Sequence, residues 1–241
     1  MDKGTVDRGD WNESALGYKN EALQVLRSTA PVFEQQRLAM IDGQLRTNQV
    51  TDPLVLDAFW TVPREIFAPD LKKGSAYVDE DIDVGHGRVL MEPLVAARML
   101  QFAEISPGTQ ALVVGAGNGY LPQLLIDLGA KVTAQEPVAA LFAQGQELAP
   151  EARWVSHGFD TIPQGAFDLI LFGGALSKVP ERYGDALGAQ GKIIAPISGQ
   201  SGNDGYLIEG RATPSTLSWR HLRNAAVPAL PEFVQAPGFE F

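Results

Sequence analysis

Cysteine is absent from this sequence of 241 residues, and histidine is scarce. Without cysteine the chain has no disulfide, no thiolate metal site and no cysteine nucleophile. The histidines, His86, His157 and His221, lie far apart in the sequence, so we expect no metal site. The 19 Lys and Arg residues against 29 Asp and Glu give a formal net charge of −10. This acidic balance argues against a nucleic-acid-binding protein, which normally presents a basic face.

Long hydrophobic runs are also missing. No stretch of about 18 uncharged apolar residues occurs, so we expect no membrane-spanning helix. Residues 1–10 are charged and lack the apolar core of a secretory signal. We therefore expect a cytoplasmic protein.

The first thirty residues predict an N-terminal extension, or docking arm, ahead of a single domain over residues 31–241. Asn12 is placed to cap a short helix within this extension. Trp11 and Tyr18 are aromatic residues of the kind that anchor a protein partner. Packing of these two side chains against their own domain explains them equally well.

The pattern of the domain changes twice. Residues 31–109 are mainly helical, with Asp52 followed by Pro53 as a helix start. Residues 110–198 alternate short apolar runs with helical segments, which is typical of parallel strands with crossover helices. Residues 199–241 contain strands without a helix between them, which predicts an antiparallel pair and a tail. The predicted strands are 111–114, 131–135, 153–156, 167–172, 192–195, 206–209 and 216–222.

A glycine-rich loop, Gly115-Ala116-Gly117-Asn118-Gly119, follows the first of these strands. Glycines let the backbone turn tightly and approach a ligand closely. Glu136 ends the next strand about 20 residues later, the spacing of an acid that binds the ribose hydroxyls of an adenosine-containing cofactor. Tyr120 stands where the dinucleotide fingerprint has glycine, which favours S-adenosylmethionine over NAD. The alternative interpretation is a tight turn with a solvated Glu136.

Several further segments stand in a consistent order along the chain: Met40-Ile-Asp-Gly-Gln-Leu-Arg46, Val62-Pro-Arg64, Phe67, Pro69, Ala76-Tyr77, Val84-Gly-His-Gly-Arg-Val-Leu-Met-Glu-Pro93, the glycine loop, Glu136, Phe167-Asp168 and Val179-Pro180. Together they resemble protein-L-isoaspartate O-methyltransferases over roughly residues 33–198. The tail from Leu230 onward is similar to that of a divergent bacterial branch. The resemblance implies an α/β fold, a seven-stranded class I S-adenosylmethionine-dependent methyltransferase (Rossmann-like) sandwich with N-terminal helices. It also implies S-adenosylmethionine as cofactor and methyl transfer to the carboxylate of an isoaspartyl residue in a damaged protein.

The chain departs from this family at positions close to the implied site. Met91 stands where the family has its active-site serine, and it cannot donate a hydrogen bond. Glu92 replaces an amide and adds a negative charge where a carboxylate substrate docks. Val113 replaces an acid two residues before the first glycine. Phe159 stands at the position of the family's next acid, unless the loop shifts to offer Asp160.

These departures predict a diverged homologue that is weak or inactive in isoaspartyl repair. We expect it to be an accessory subunit, a pseudoenzyme that interacts with a protein partner or peptide. The first alternative is an active carboxyl methyltransferase that compensates elsewhere, and the second is a small-molecule methyltransferase with a closed pocket. The resemblance implies a cofactor-binding set of Gly115, Ala116, Gly117, Gly119, Glu136, Phe159 and Asp160.

Few residues are candidates for a catalytic role. Met91 holds the serine position, and His86 lies in a glycine-flanked loop beside the implied site. Methyl transfer to a carboxylate ionised at neutral pH needs no base, so we expect His86 to shape the loop. The acidic run 79–83 is interpreted as a solvated loop, or as a surface that repels acidic substrates and attracts a basic partner. Ser177 does not lie in a nucleophile elbow, so a hydrolase has no support.

Overall fold

The computed structural model describes residues 32–199, 204–213 and 216–234. The predicted N-terminal extension, with Asn12, Trp11 and Tyr18, lies outside these residues, as does the end of the tail from residue 235. In the part of the chain that is described, no helix combines the length and the apolar composition needed to span a bilayer.

The helices lie mainly in the first half of the described chain. The start predicted at Asp52 is confirmed, because its carboxylate accepts a hydrogen bond of 2.9 Å from the Leu54 N–H and Pro53 occupies the first turn. Short π- and 3₁₀-helical turns continue the first helix through residue 48. The α-helices are α1 (Val32–Met40), α2 (Pro53–Thr61), α3 (Pro93–Ala103), α4 (Tyr120–Asp127), α5 (Ala139–Leu148) and α6 (Arg182–Asp185).

A seven-stranded sheet forms the centre of the fold, in the order β5-β4-β3-β6-β7-β8-β9. The strands from β3 to β7 pair in parallel, and β8 and β9 are added antiparallel, as the sequence predicts. The alternation of short apolar runs and helices explains this topology, since parallel strands need crossover connections. The strands are β3 (Gln110–Val114), β4 (Lys131–Gln135), β5 (Arg153–Val155), β6 (Phe167–Phe172), β7 (Leu187–Ser198), β8 (Gly205–Ala212) and β9 (Leu217–Asn224).

A separate two-stranded hairpin precedes α3 and was not among the predicted strands. It consists of β1 (Ile82–Gly85) and β2 (Arg88–Leu90), joined through His86 and Gly87. Gly85, His86 and Gly87 all have positive φ angles, of 91°, 57° and 70°. Because two of these residues are glycines, the chain can adopt this tight turn. The turn leads directly into Arg88, the first residue of β2.

Apolar cores cover both faces of the sheet. Alternate residues of β3 point to opposite sides, so Val113 packs with the helices α3 and α4, while Leu112 and Val114 pack on the other face. Because the carboxyl ends of parallel strands meet at one edge, the loops after β3, β4, β5 and β6 converge there. The candidate site lies at this edge.

Candidate cofactor site

The glycine loop adopts a backbone that requires glycine at three positions. Gly115, Gly117 and Gly119 have φ angles of 70°, 57° and 102°, in the left-handed region that side chains disfavour. The loop runs from the end of β3 into α4, and the Gly117 N–H donates a hydrogen bond of 2.9 Å to Glu136. The sequence-predicted loop and its acid are therefore in direct contact.

Glu136 is completely buried, with 0% of its surface exposed, and both carboxylate oxygens accept hydrogen bonds. The Val138 N–H donates to it at 3.1 Å, in addition to Gly117. Arg88 donates through Nε at 3.0 Å and Nη2 at 3.1 Å, which forms a bidentate ion pair. The interpretation of a tight turn with a solvated Glu136 is therefore wrong.

Arg88 joins Glu136 to a second carboxylate, that of Glu232 near the end of the described chain. Nη2 donates to Glu232 at 2.8 Å and Nη1 donates at 3.1 Å. Arg88 is 1% exposed and Glu232 is 38% exposed, so the pair reaches the surface only at Glu232. Burial lowers the pKa of Arg88, but hydrogen bonds and attraction from the two carboxylates outweigh that effect and raise it.

The chain from residue 225 to residue 234, here called the C-terminal segment, lies across the glycine loop. Ala175, just after β6, donates its N–H to the Pro228 carbonyl at 2.9 Å and accepts from the Leu230 N–H at 2.9 Å. The Leu230 side chain packs against the loop, because a Cβ on Gly115 would lie 2.9 Å from a Leu230 methyl carbon. The segment therefore fills the space directly in front of the loop.

Phe233 extends the segment towards the loop that follows β5. Its ring stacks on Phe159 with centroids 5.2 Å apart and an interplanar angle of 24°. The same ring lies nearly perpendicular to that of Phe172, with centroids 5.8 Å apart. Phe159, which the resemblance places beside the cofactor, is buried under an aromatic ring of the same chain.

Little space is left beside the glycine loop. A cavity of about 30 Å³ lies between the loop, β2 and the residue after β6. That volume holds about one water molecule, whereas small-molecule sites measure roughly 300–1,000 Å³. The lining residues include Val89, Leu90, Met91, Gly115, Gly117, Asn118 and Gly173.

Met91 lines this cavity, and Glu92 follows it at the start of α3. Met91 is buried and presents a thioether to the cavity. The Glu92 N–H donates to Asp81 at 2.8 Å, and the Leu94 N–H donates to Asp79 at 3.1 Å. Two acids of the run 79–83 therefore bind the N-terminus of α3, where the helix dipole favours negative charge.

These acids change the protonation of Glu92. Burial is the largest cause, and the charges of Asp79 and Asp81 add to it, so the pKa of Glu92 is raised to about 7. Arg98 and Arg64 act in the opposite direction but do not cancel the rise. Glu92, next to Met91, therefore lies in a cluster of carboxyl groups with Asp79 and Asp81.

The remaining sequence-predicted residues lie apart from the cavity. The Asp160 side chain is fully exposed, and its nearest cation is Arg182 at 3.8 Å. His86 is exposed in the hairpin turn, with a φ of 57° that fits a loop-shaping residue. His157 contacts Gln135 at 3.2 Å, and His221 packs against Tyr206 on β8 and β9.

Sequence reasoning missed the residues that fill the site, which are Arg88, Leu230, Glu232 and Phe233. Arg88 is the one cationic residue of the segment 84–93, where it lies between a glycine turn and apolar residues. A cation in such an apolar setting predicts a buried acidic partner, since a buried charge needs compensation. The tail carried no periodic pattern from which its place could be read.

Comparisons with known proteins agree with this fold and loop. The family model of Protein-L-isoaspartate(D-aspartate) O-methyltransferase (PCMT) matches residues 35–147. A protein-L-isoaspartate O-methyltransferase of Methylorubrum extorquens is 36% identical over 178 residues, covering 71% of this chain and 78% of the relative. The corresponding protein of Roseiflexus castenholzii is 31% identical over 197 residues, covering 79% and 89%.

A solved structure shows the same fold. It is a protein-L-isoaspartate O-methyltransferase of Plasmodium falciparum in complex with S-adenosyl-L-homocysteine, with a TM-score of 0.68 and 21% identity. The match covers 80% of this chain and 97% of the other. The predicted class I methyltransferase sandwich is thereby confirmed. The chain belongs to the protein-L-isoaspartate O-methyltransferase family, and this membership supports S-adenosylmethionine as its cofactor.

Proposed function

We propose that this protein is a diverged isoaspartyl methyltransferase homologue with weak or no repair activity of its own. Its role is that of an accessory subunit in a cytoplasmic protein assembly. The observation that carries the proposal is the state of Glu136, whose oxygens are all bonded within the chain and shielded from solvent.

The hydrogen-bonding groups of the site suit S-adenosylmethionine, but the size of the cavity does not. The glycine loop and Glu136 have the geometry of an adenosine-binding edge. A ribose needs the oxygens that Arg88 already occupies, and the cavity of about 30 Å³ does not admit it. A ribose must displace Arg88 from Glu136 before it can bind, so the buried ion pair lowers the affinity for the cofactor.

The substrate side gives independent support. Met91 offers no hydrogen-bond donor to a carboxylate, and the next residue, Glu92, stands beside the carboxyl groups of Asp79 and Asp81. Loss of one positioned donor typically lowers a rate by about 10²–10³. The acidic cluster next to Met91 raises the free energy of binding another carboxylate there further.

The test is a titration with S-adenosylmethionine by calorimetry, followed by transfer of a labelled methyl group to an isoaspartyl peptide. We expect transfer near background for the full chain. Robust transfer that is abolished in Glu136→Ala would contradict the proposal and establish an active carboxyl methyltransferase.

Met91→Ser separates the two defects of the site. It restores the hydroxyl at the substrate position but leaves Arg88 on Glu136, so we expect transfer to stay at background. Met91→Leu, which keeps the apolar volume, is the matched control. Recovery of transfer in Met91→Ser alone would show that the cofactor edge is functional as it stands.

The accessory role is tested in the native host. We expect affinity purification of the full chain to recover a defined partner that a chain lacking residues 1–30 does not recover. A partner retained equally by both chains would place the interaction on the domain and refute the docking arm. Absence of any specific partner with the full chain would refute the accessory role.

A further inference from the structure

We propose that the C-terminal segment is an intramolecular occupant of the cofactor site and competes with the adenosine part of the cofactor. The inference rests on the proposed function, because it gives a physical reason for weak transfer by the full chain. It concerns Leu230, Glu232 and Phe233, which no family motif assigns to the site.

The segment contacts three elements around the cofactor edge. Leu230 faces Gly115 of the glycine loop, and a Cβ on Gly87 of the hairpin would lie 2.4 Å from a Pro231 ring carbon. Glu232 binds Arg88 on the next strand of that hairpin, and Phe233 stacks on Phe159. The hairpin, the glycine loop and the loop after β5 are therefore held by one stretch of four residues.

The chemistry of these contacts parallels that of a nucleoside. Phe233 presents a flat aromatic ring to Phe159, where the resemblance places the cofactor. Arg88 supplies the donors to Glu136 that ribose hydroxyls supply in an adenosine complex. Glu232 holds Arg88 from the other side, so the segment stabilises the arginine in the position that blocks the acid.

The attachment of the segment is local. Three backbone bonds tie it to the sheet, one from the Ala225 N–H to the Gly205 carbonyl and two that involve Ala175, whereas β8 and β9 are joined along seven residue pairs. Glu232 is 38% exposed, which lets water screen its pair with Arg88. Short segments held by few backbone hydrogen bonds open without unfolding the sheet, so the site alternates between a closed and an open arrangement.

A ligand that binds only the open arrangement has its affinity reduced by the open fraction. Removing residues 231–241 deletes Glu232 and Phe233 but keeps Leu230 in the core. We expect this chain, 1–230, to bind S-adenosylhomocysteine about tenfold or more tightly than the full chain in calorimetry. Equal affinity would overturn the inference, and so would a failure of both chains to bind.

A shorter truncation is the matched control. The chain 1–234 loses the last seven residues but retains the C-terminal segment, and we expect it to bind like the full chain. If 1–234 binds as tightly as 1–230, the occupant is not the segment and the inference is wrong.

A full-length variant guards against misfolding of the truncated chain. Glu232→Ala combined with Phe233→Ala removes the ion pair and the stacked ring without shortening the protein. We expect tighter binding in this variant, but no change in Glu147→Ala on the exposed face of α5. A folded double variant, judged by circular dichroism, that binds no better than Glu147→Ala would refute the inference.

The two proposals fail in different experiments. Robust methyl transfer by the full chain refutes the proposed function, whatever the truncations bind. Equal ligand affinities of the full chain and 1–230 refute the occupant, whatever the transfer assay gives. Tighter binding by 1–230 without methyl transfer supports both.

Discussion

Arg88→Met tests whether the buried ion pair holds the site together. Methionine keeps much of the length and apolar surface of arginine but removes the charge and all donors. The substitution leaves Glu136 completely buried, with only the backbone N–H groups of Gly117 and Val138 as partners.

The expected loss follows from the burial of the two partners. Removing one member of a buried pair destabilises a protein by about 3–5 kcal/mol, because the other charge stays buried without compensation. The contact with Glu232, which is 38% exposed, adds at most about 1 kcal/mol. The total of about 3–6 kcal/mol, at about 2–4 °C per kcal/mol for a protein of this size, gives a fall in Tm of roughly 6–24 °C.

Urea and thermal unfolding measure this loss, and a double-mutant cycle assigns it to the pair. Glu136→Gln combined with Arg88→Met removes both charges, so we expect the double variant to lose less stability than the sum of the single variants. Arg153→Met, at an exposed position of β5, is the control and should change stability by less than about 0.5 kcal/mol. A loss below about 1 kcal/mol for Arg88→Met, or strict additivity, would refute the reasoning.

Two further predictions concern packing and pH. Gly173→Ala places a Cβ 2.0 Å from the Gly115 carbonyl oxygen, so we expect a loss of about 1–3 kcal/mol in urea unfolding. Gly43→Ala, with no atom within 4 Å of the new Cβ, should be neutral or stabilise by up to about 1 kcal/mol; a similar loss in both would contradict the packing argument. The raised pKa of Glu92, about 7 against an ordinary 4.5, means that the folded state retains a proton that the unfolded state has released. Its contribution to stability is present below about pH 4.5 and is lost as the pH rises through about 7, so Glu92→Gln should reduce the fall in urea midpoint between about pH 5 and about pH 8. An unchanged pH dependence would show that Glu92 titrates normally.

Local features of the sequence predicted the scaffold of the site well. Gly115 and Gly119 need positive φ angles, so the strand-turn-helix at 110–127 follows from local chemistry alone. The spacing to Glu136 predicted that the acid meets the loop, and the Gly117 N–H does bind it. The same reasoning treated residues 85–87 as a flexible loop, although their paired glycines are equally typical of a hairpin turn.

Local features did not predict the contacts between residues that are far apart in the sequence. Arg88 meets Glu136 across 48 positions of sequence and Glu232 across 144. No periodicity or spacing rule predicts contacts over such separations, because these pairs form only when separate elements dock. The exposure of Asp160 likewise depends on the path of the loop after β5 and not on the residue's identity.

The sequence by itself determined the α/β topology, the family and the identity of the groups at the cofactor edge, because strand and helix periodicity and glycine backbone preferences are local. Only the tertiary structure decided what those groups do. It buried Glu136 under Arg88 and laid Leu230, Glu232 and Phe233 over the glycine loop. Whether a carboxylate faces a ligand or a neighbouring side chain depends on which distant segment fills the space before it, and packing of the whole chain sets that choice.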